Sequence, residues 1–169
     1  MKALEITWKH GIIYLFLGAF LVSCGGANRN LADDPEYREM VEKVSDLEFE
    51  IENEWVNPTQ YSRVNLFGNP NYIRFENDSV KVYLPFFGER YAGGAYDNDE
   101  GAIQYEGIPQ NLEIQQNPEK GAVNISFEGN RSTENLEFLI TVYSGGVART
   151  TVTSSQRETI SYDGKLIER

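Results

Sequence analysis

From Leu47 onward, apolar and polar residues alternate in one short run after another. That period restricts the chain to extended strands with one face buried and one in water. Leu47, Phe49 and Ile51 alternate with Glu48, Glu50 and Glu52, which predicts a half-buried strand with a solvated acidic face. The three glutamates do not suit a metal, because same-face carboxylates on a strand stand about 7 Å apart, too far to chelate one ion unaided. Residues 72–76 and 79–87 flank Asn77-Asp78, residues that tolerate the positive φ of a hairpin turn. Val80, Val82, Leu84 and Phe86 would share the inner face of the second strand. Ile103 and Tyr105, then Leu112 and Ile114, read as short strands around Pro109. Val123, Ile125 and Phe127 alternate after a turn at 117–121. Leu136, Phe138, Ile140 and Val142 lead into Ser144-Gly145-Gly146, and Ala148, Thr150 and Val152 return. Ile160 and Tyr162, turned by Asp163-Gly164, end in Leu166.

The succession predicts a mainly β fold, an antiparallel meander closing as a small barrel or a two-sheet sandwich, since so many strands must curl to hide their edges. One short N-terminal helix precedes it, over roughly 35–45. Asp34 supplies a cap, Pro35 the first helical position, and Glu36 a negative charge at the positive end of the dipole. Tyr37, Met40, Val41, Val44 and Leu47 fall on one stripe, narrow enough to pack on a sheet.

The chain begins differently. Residues 1–9 carry Lys2 and Lys9, and 11–22 are almost uncharged. Twelve residues at about 1.5 Å each fall short of a ~30 Å hydrocarbon core. That length suits a signal peptide over 1–23. The run ends in Leu21-Val22-Ser23-Cys24, which resembles the lipobox of bacterial lipoproteins: small residues fit the signal peptidase and the Cys sulfur takes the diacylglyceryl group. Cys24 is the only cysteine and the expected lipidation site. Residues 24–33 then form the lipidated Cys and a flexible tether, and 34–169 a single β-rich domain. No Asp follows the Cys and no acidic run follows at once, so the resemblance implies the periplasmic face of the outer membrane, reached through the lipid anchor.

Charge and composition exclude several functions. With 26 acidic against 15 basic residues, the net charge is −11, which opposes nucleic-acid binding. The only histidine, His10, lies in the expected signal peptide. Without it and Cys24, Ser-His and Cys-His nucleophiles and His-ligated zinc are lost. No enzyme activity, no cofactor and no metal site is expected. Asp97, Asp99, Glu100 and Gly101 look superficially like a calcium loop, but the spacing and a downstream bidentate Glu are missing, so they read as a polar turn.

The segment 83–101, YLPFFGERYAGGAYDNDEG, is aromatic and glycine-rich together. Pro85 cannot donate to a ladder, so its strand is an edge or ends there. Tyr83, Phe87, Tyr91 and Tyr96 are the candidate binding residues, with Phe86 beside them. Facing outward they form a recognition patch; facing inward they plug the end of the barrel. Asp78-Ser79-Val80 resembles a three-residue O-glycosylation site of bacterial envelope proteins, making Ser79 a candidate; a plain Asx turn explains it equally.

The lipobox, the strand ending in Asn57-Pro58, YLPFFG at 83–88, the loop at 93–96 and the closing TTVTSSQRETISYDG together resemble a family of small Gram-negative envelope lipoproteins. That family is defined by a domain of unknown function, with an LPY-F-G-like motif and a C-terminal Ser/Thr strand followed by an Arg and an SY-G turn. Here Phe stands where Tyr is common. The resemblance covers about 47–168 and implies location and a single fold, but no activity. A binding module for a small amphipathic ligand or an envelope protein partner is the leading expectation. A structural envelope lipoprotein comes second, and a carboxylate-based hydrolase last.

Overall fold

The structure is a computed structural model that describes residues 30–92 and 101–167. A 3₁₀ turn, Leu31–Asp33, leads into helix α1, Pro35–Ser45. The Asp34 carboxylate accepts from the backbone N–H of Glu36 (3.0 Å) and Tyr37 (3.2 Å), so the cap read from the sequence is in place. Tyr37, Met40 and Val44 are the buried stripe. The helix ends at Ser45, and two residues on, Leu47 has a left-handed φ of 55°, a conformation costly for a side chain.

Ten strands then form one antiparallel sheet: β1 Phe49–Asn57, β2 Val64–Asn65, β3 Tyr72–Glu76, β4 Ser79–Leu84, β5 Ile103–Gly107, β6 Gln110–Asn117, β7 Ala122–Arg131, β8 Glu134–Tyr143, β9 Val147–Ser154 and β10 Ile160–Ile167. Their order is β5-β4-β3-β1-β10-β9-β8-β7-β6, with β2 paired to β1. Two meanders therefore meet on β1, and the sheet curls into a half-barrel. The link from β5 to β6 carries the chain from one sheet edge to the other. Across that seam Tyr105 lies flat on Gly129, where a Cβ would come within 2.7 Å of the ring. No ladder joins β5 to β6 among the described residues, and β5 packs there against β7.

The alternating residues line the concave face. Four phenylalanines cross it: Phe49 stacks on Phe75 (4.7 Å), Phe75 meets Phe127 edge-on (5.4 Å), and Phe127 stacks on Phe138 (4.5 Å). They tie β1 and β3 on one wall to β7 and β8 on the other. Two polar side chains interrupt this face, Asn53 and Thr150; both are buried and neither finds a hydrogen-bond partner among the described residues.

Three sequence expectations change. Asp163-Gly164 does not turn the chain but sits within β10, Asn53 opposite Gly164 and Trp55 opposite Asp163 across a bulge in β1. Glycine is required there because a Cβ would sit 2.6 Å from Asn53 Cα and closer still to the Glu52 carbonyl oxygen. Gly164→Ala should therefore cost about 3 kcal/mol, the upper end for overpacking, because the obstructing atoms are backbone. A urea unfolding curve reports it. Second, β4 stops at Leu84, before Pro85, so Phe86 leaves the strand and is half-buried instead of continuing the Val80, Val82 and Leu84 face. Third, Glu50 is buried, 2.6 Å from the Arg74 Nε, so only Glu48 and Glu52 of the acidic row face water.

Candidate functional site

The half-barrel has two dissimilar ends. At one, α1 lies across the mouth. The Tyr37 hydroxyl donates to the Ala122 carbonyl at the start of β7 (3.4 Å), and the Leu31 N–H donates to Pro118 (3.0 Å). The helix is thus strapped to the β6–β7 hairpin, and a cavity of about 800 Å³ remains between it and the opposite wall. Met40, Phe49, Phe75 and Leu166 form its apolar floor. Glu36, Glu39 and Lys43 from α1, Glu48 just before β1, and Glu76-Asn77 at the end of β3 supply a polar rim. Asn77 and Asp78, at φ 49° and 62°, form the tight hairpin expected there. Gly145 and Gly146, at φ 86° and 82°, turn β8 into β9 on the far side of the mouth. A volume in the range of ligand pockets, with an apolar floor under six polar side chains, makes this a half-open amphipathic cavity able to hold a small molecule.

At the other end, residues distant in sequence form a buried knot. Arg157, in the β9–β10 connection, is 6% exposed and faces Glu134 at the start of β8 in a two-pronged pair, Nε to Oε1 at 2.7 Å and Nη2 to Oε2 at 2.9 Å. Its third nitrogen, Nη1, donates to the carbonyls of Gly101 (2.7 Å) and Ala102 (3.2 Å). The Ser154 hydroxyl donates to Glu134 Oε1 (2.5 Å), and the Phe86 ring lies 5.4 Å from the guanidinium. Burial raises the Glu134 carboxyl, but the hydrogen bonds from Arg157 and Ser154 and the Arg157 charge outweigh it and hold it below the ordinary range. Next to the knot the Tyr162 hydroxyl, pushed far up by burial, donates to the Pro85 carbonyl (3.0 Å). All three guanidinium nitrogens and both carboxylate oxygens are hydrogen-bonded, which makes this end a clasp.

Among the described residues, the aromatic candidates Tyr83, Phe87 and Tyr91 do not converge. Tyr83 lies on the outer face of β4, stacked on Tyr72 at 6.2 Å, with Arg74 over the Tyr72 ring. Phe87 and Tyr91 belong to a strap hydrogen-bonded to the β9–β10 connection, Tyr91 N–H to Gln156 O (2.8 Å) and Glu158 N–H to Glu89 O (3.0 Å). Tyr91 is 66% exposed and Phe87 39%, whereas Phe86 is turned onto Arg157. No ring contact joins Tyr83 to Phe87 or Tyr91 among the described residues. Ser79 opens β4, and its hydroxyl donates to the Glu76 carbonyl at 2.7 Å. Cys24, Tyr96 and the acidic run from Asp97 to Glu100 lie outside the described residues. Among the described residues, no three His, Cys, Asp or Glu side chains cluster to hold a metal ion.

Met40, Phe49 and Leu166 are legible in the sequence as apolar-face residues and Phe75 only as part of the strand over 72–76; together they floor a cavity. Nothing in a period-two pattern announces which core positions lie at an open end. The clasp left one trace, the arginine between the Ser/Thr strand and SYDG in the closing motif.

Fold and site define a class first: a curled antiparallel β half-barrel whose mouth is bridged by one helix over a cavity. The chain belongs to the family defined by the domain of unknown function DUF4251, which matches residues 32–166 and so takes in both ends of the half-barrel. A solved DUF4251 family protein from Bacteroides eggerthii DSM 20697 is similar over 78% of this chain and 87% of that one, with a TM-score of 0.59 at 17% identity. At that identity the likeness speaks for the fold. No curated protein matches the chain.

Proposed function

We propose that this protein is a lipoprotein of the outer membrane, facing the periplasm, whose β domain binds a small amphipathic ligand beneath α1. The cavity carries the reading: about 800 Å³ with an apolar floor of Met40, Phe49, Phe75 and Leu166 under a polar rim. Binding is favoured over catalysis because the rim offers carboxylates and one lysine, with no nucleophile beside a base. Anchoring is supported by the apolar run 11–22 and the Leu21-Val22-Ser23-Cys24 sequence, followed by a glycine-led tether.

The test of binding is a titration of the full chain with a neutral, environment-sensitive apolar dye such as N-phenyl-1-naphthylamine. Saturable fluorescence enhancement is expected. Glu39→Trp, which puts a ring over the mouth from an exposed helix position, should weaken it at least tenfold with little change in melting temperature. An unsaturable signal, or one indifferent to Glu39→Trp, removes the cavity from consideration. For anchoring, Cys24→Ala should leave an uncut precursor or move the protein out of the detergent phase. Unchanged partitioning at normal mature mass would end that part of the proposal.

A further inference from the structure

We infer that the ligand of the cavity is an organic cation with an apolar tail. This rests on the binding role proposed above and names the chemical class it serves. Four carboxylates ring the opening, Glu36 and Glu39 on α1, Glu48 before β1 and Glu76 at the end of β3, against a single lysine, Lys43. Lys43 Nζ stands 2.9 Å from Glu39 Oε1, one turn away on the same helix, so those two charges answer each other within the rim. Glu36 and Glu48 are exposed and form no ion pair among the described residues. The start of α1, whose dipole would attract an anion, is already met by the Asp34 cap and by Glu36 itself.

The floor fixes the other half of the ligand. Phe49 and Phe75 stack at 4.7 Å, and Met40 and Leu166 complete an apolar surface that offers a charged group nothing to bond. A tail of several methylenes belongs there, with its head among the carboxylates. An alkylated ammonium suits the junction, since its methyl groups spread positive charge over apolar and aromatic surface. A carboxylate or sulfate head would instead meet the unpaired glutamates. Exposed charge pairs of this kind change affinity by roughly two- to fivefold each, and salt screens them.

The experiment titrates the full chain with three probes that share one tail: hexyltrimethylammonium, hexanoate and 1-hexanol. The cation is expected to bind about tenfold more tightly than hexanoate at low salt, as two such charges combine, with the alcohol between them. High salt should compress that spread. The double variant Glu36→Gln/Glu48→Gln should lose the preference for the cation while binding 1-hexanol as before. Hexanoate binding as well as the cation, or better, would overturn the inference and leave the cavity a site for another head group. A preference that survives the double variant would overturn it too. If none of the three probes binds saturably, the binding role itself falls.

Discussion

Glu134→Ala is expected to destabilise the protein by about 3–5 kcal/mol, the range for stranding one member of a buried ion pair. The Arg157 guanidinium would keep its two backbone carbonyls and lose both carboxylate oxygens, inside a site where its side chain is 6% exposed. Urea denaturation reads the loss, and the double variant Glu134→Leu/Arg157→Met should recover much of it, because no charge is then left without a partner. A single variant within about 0.5 kcal/mol of the parent, as for an ordinary surface change, would show that the clasp does not hold the start of β8, the β9–β10 connection and residues 101–102 together. The same pair sets a pH dependence. The Glu134 carboxyl is held below its ordinary 4.5 when folded, so its stabilisation is complete above about that pH and is lost as acid drives pH down through the folded value. Asp163, also held low by Asn57 and Arg149 against the effect of burial, adds in the same direction. The acid loss should thus be smaller, but not absent, in Glu134→Gln.

Phe127→Ala is the second large effect, also about 3–5 kcal/mol, from lost apolar transfer and the cavity left behind. Phe127 is 1% exposed and is the ring through which the β1–β3 wall reaches the β7–β8 wall, edge-on to Phe75 and stacked on Phe138. Its removal should also loosen Phe75, which floors the cavity, so ligand affinity is expected to fall along with stability. Tyr91→Ala serves as the control: at 66% exposure it should stay within about 0.5 kcal/mol of the parent. Equal losses in both variants would mean that the strap carrying Tyr91 is as much a part of the core as Phe127.

Much of this architecture could be read from local rules. The Asp34-Pro35 start fixes the helix to the residue, because capping chemistry acts within one turn. Strands such as β8, with Leu136, Phe138, Ile140 and Val142 inward, follow from alternation. What alternation leaves open is whether the outer strands meet. A period of two tells which face is buried and says nothing of closure, so barrel and sandwich fit it equally, whereas the chain forms one sheet curled into a half-barrel. Asp163-Gly164 misled for a different reason. Its glycine answers a close approach by β1, more than a hundred residues earlier in the chain, and no local signal separates that from a turn. The aromatic segment drew notice by composition, yet Phe86 faces a buried arginine while Tyr83 sits on the outer face of β4. The cavity was the least legible feature, because it is assembled from α1, the start of β1 and the ends of β3 and β10.

The central claim, a ligand under α1, has a natural reporter. The chain has two methionines, Met1 and Met40, and Met40 is on the cavity floor. With methyl-¹³C-methionine in the full chain, the Met40 methyl resonance should shift saturably as hexyltrimethylammonium is added, and Glu39→Trp should suppress the shift. A Met40 signal that stays in place while probe is added well beyond millimolar concentration would contradict a binding cavity at this end of the half-barrel.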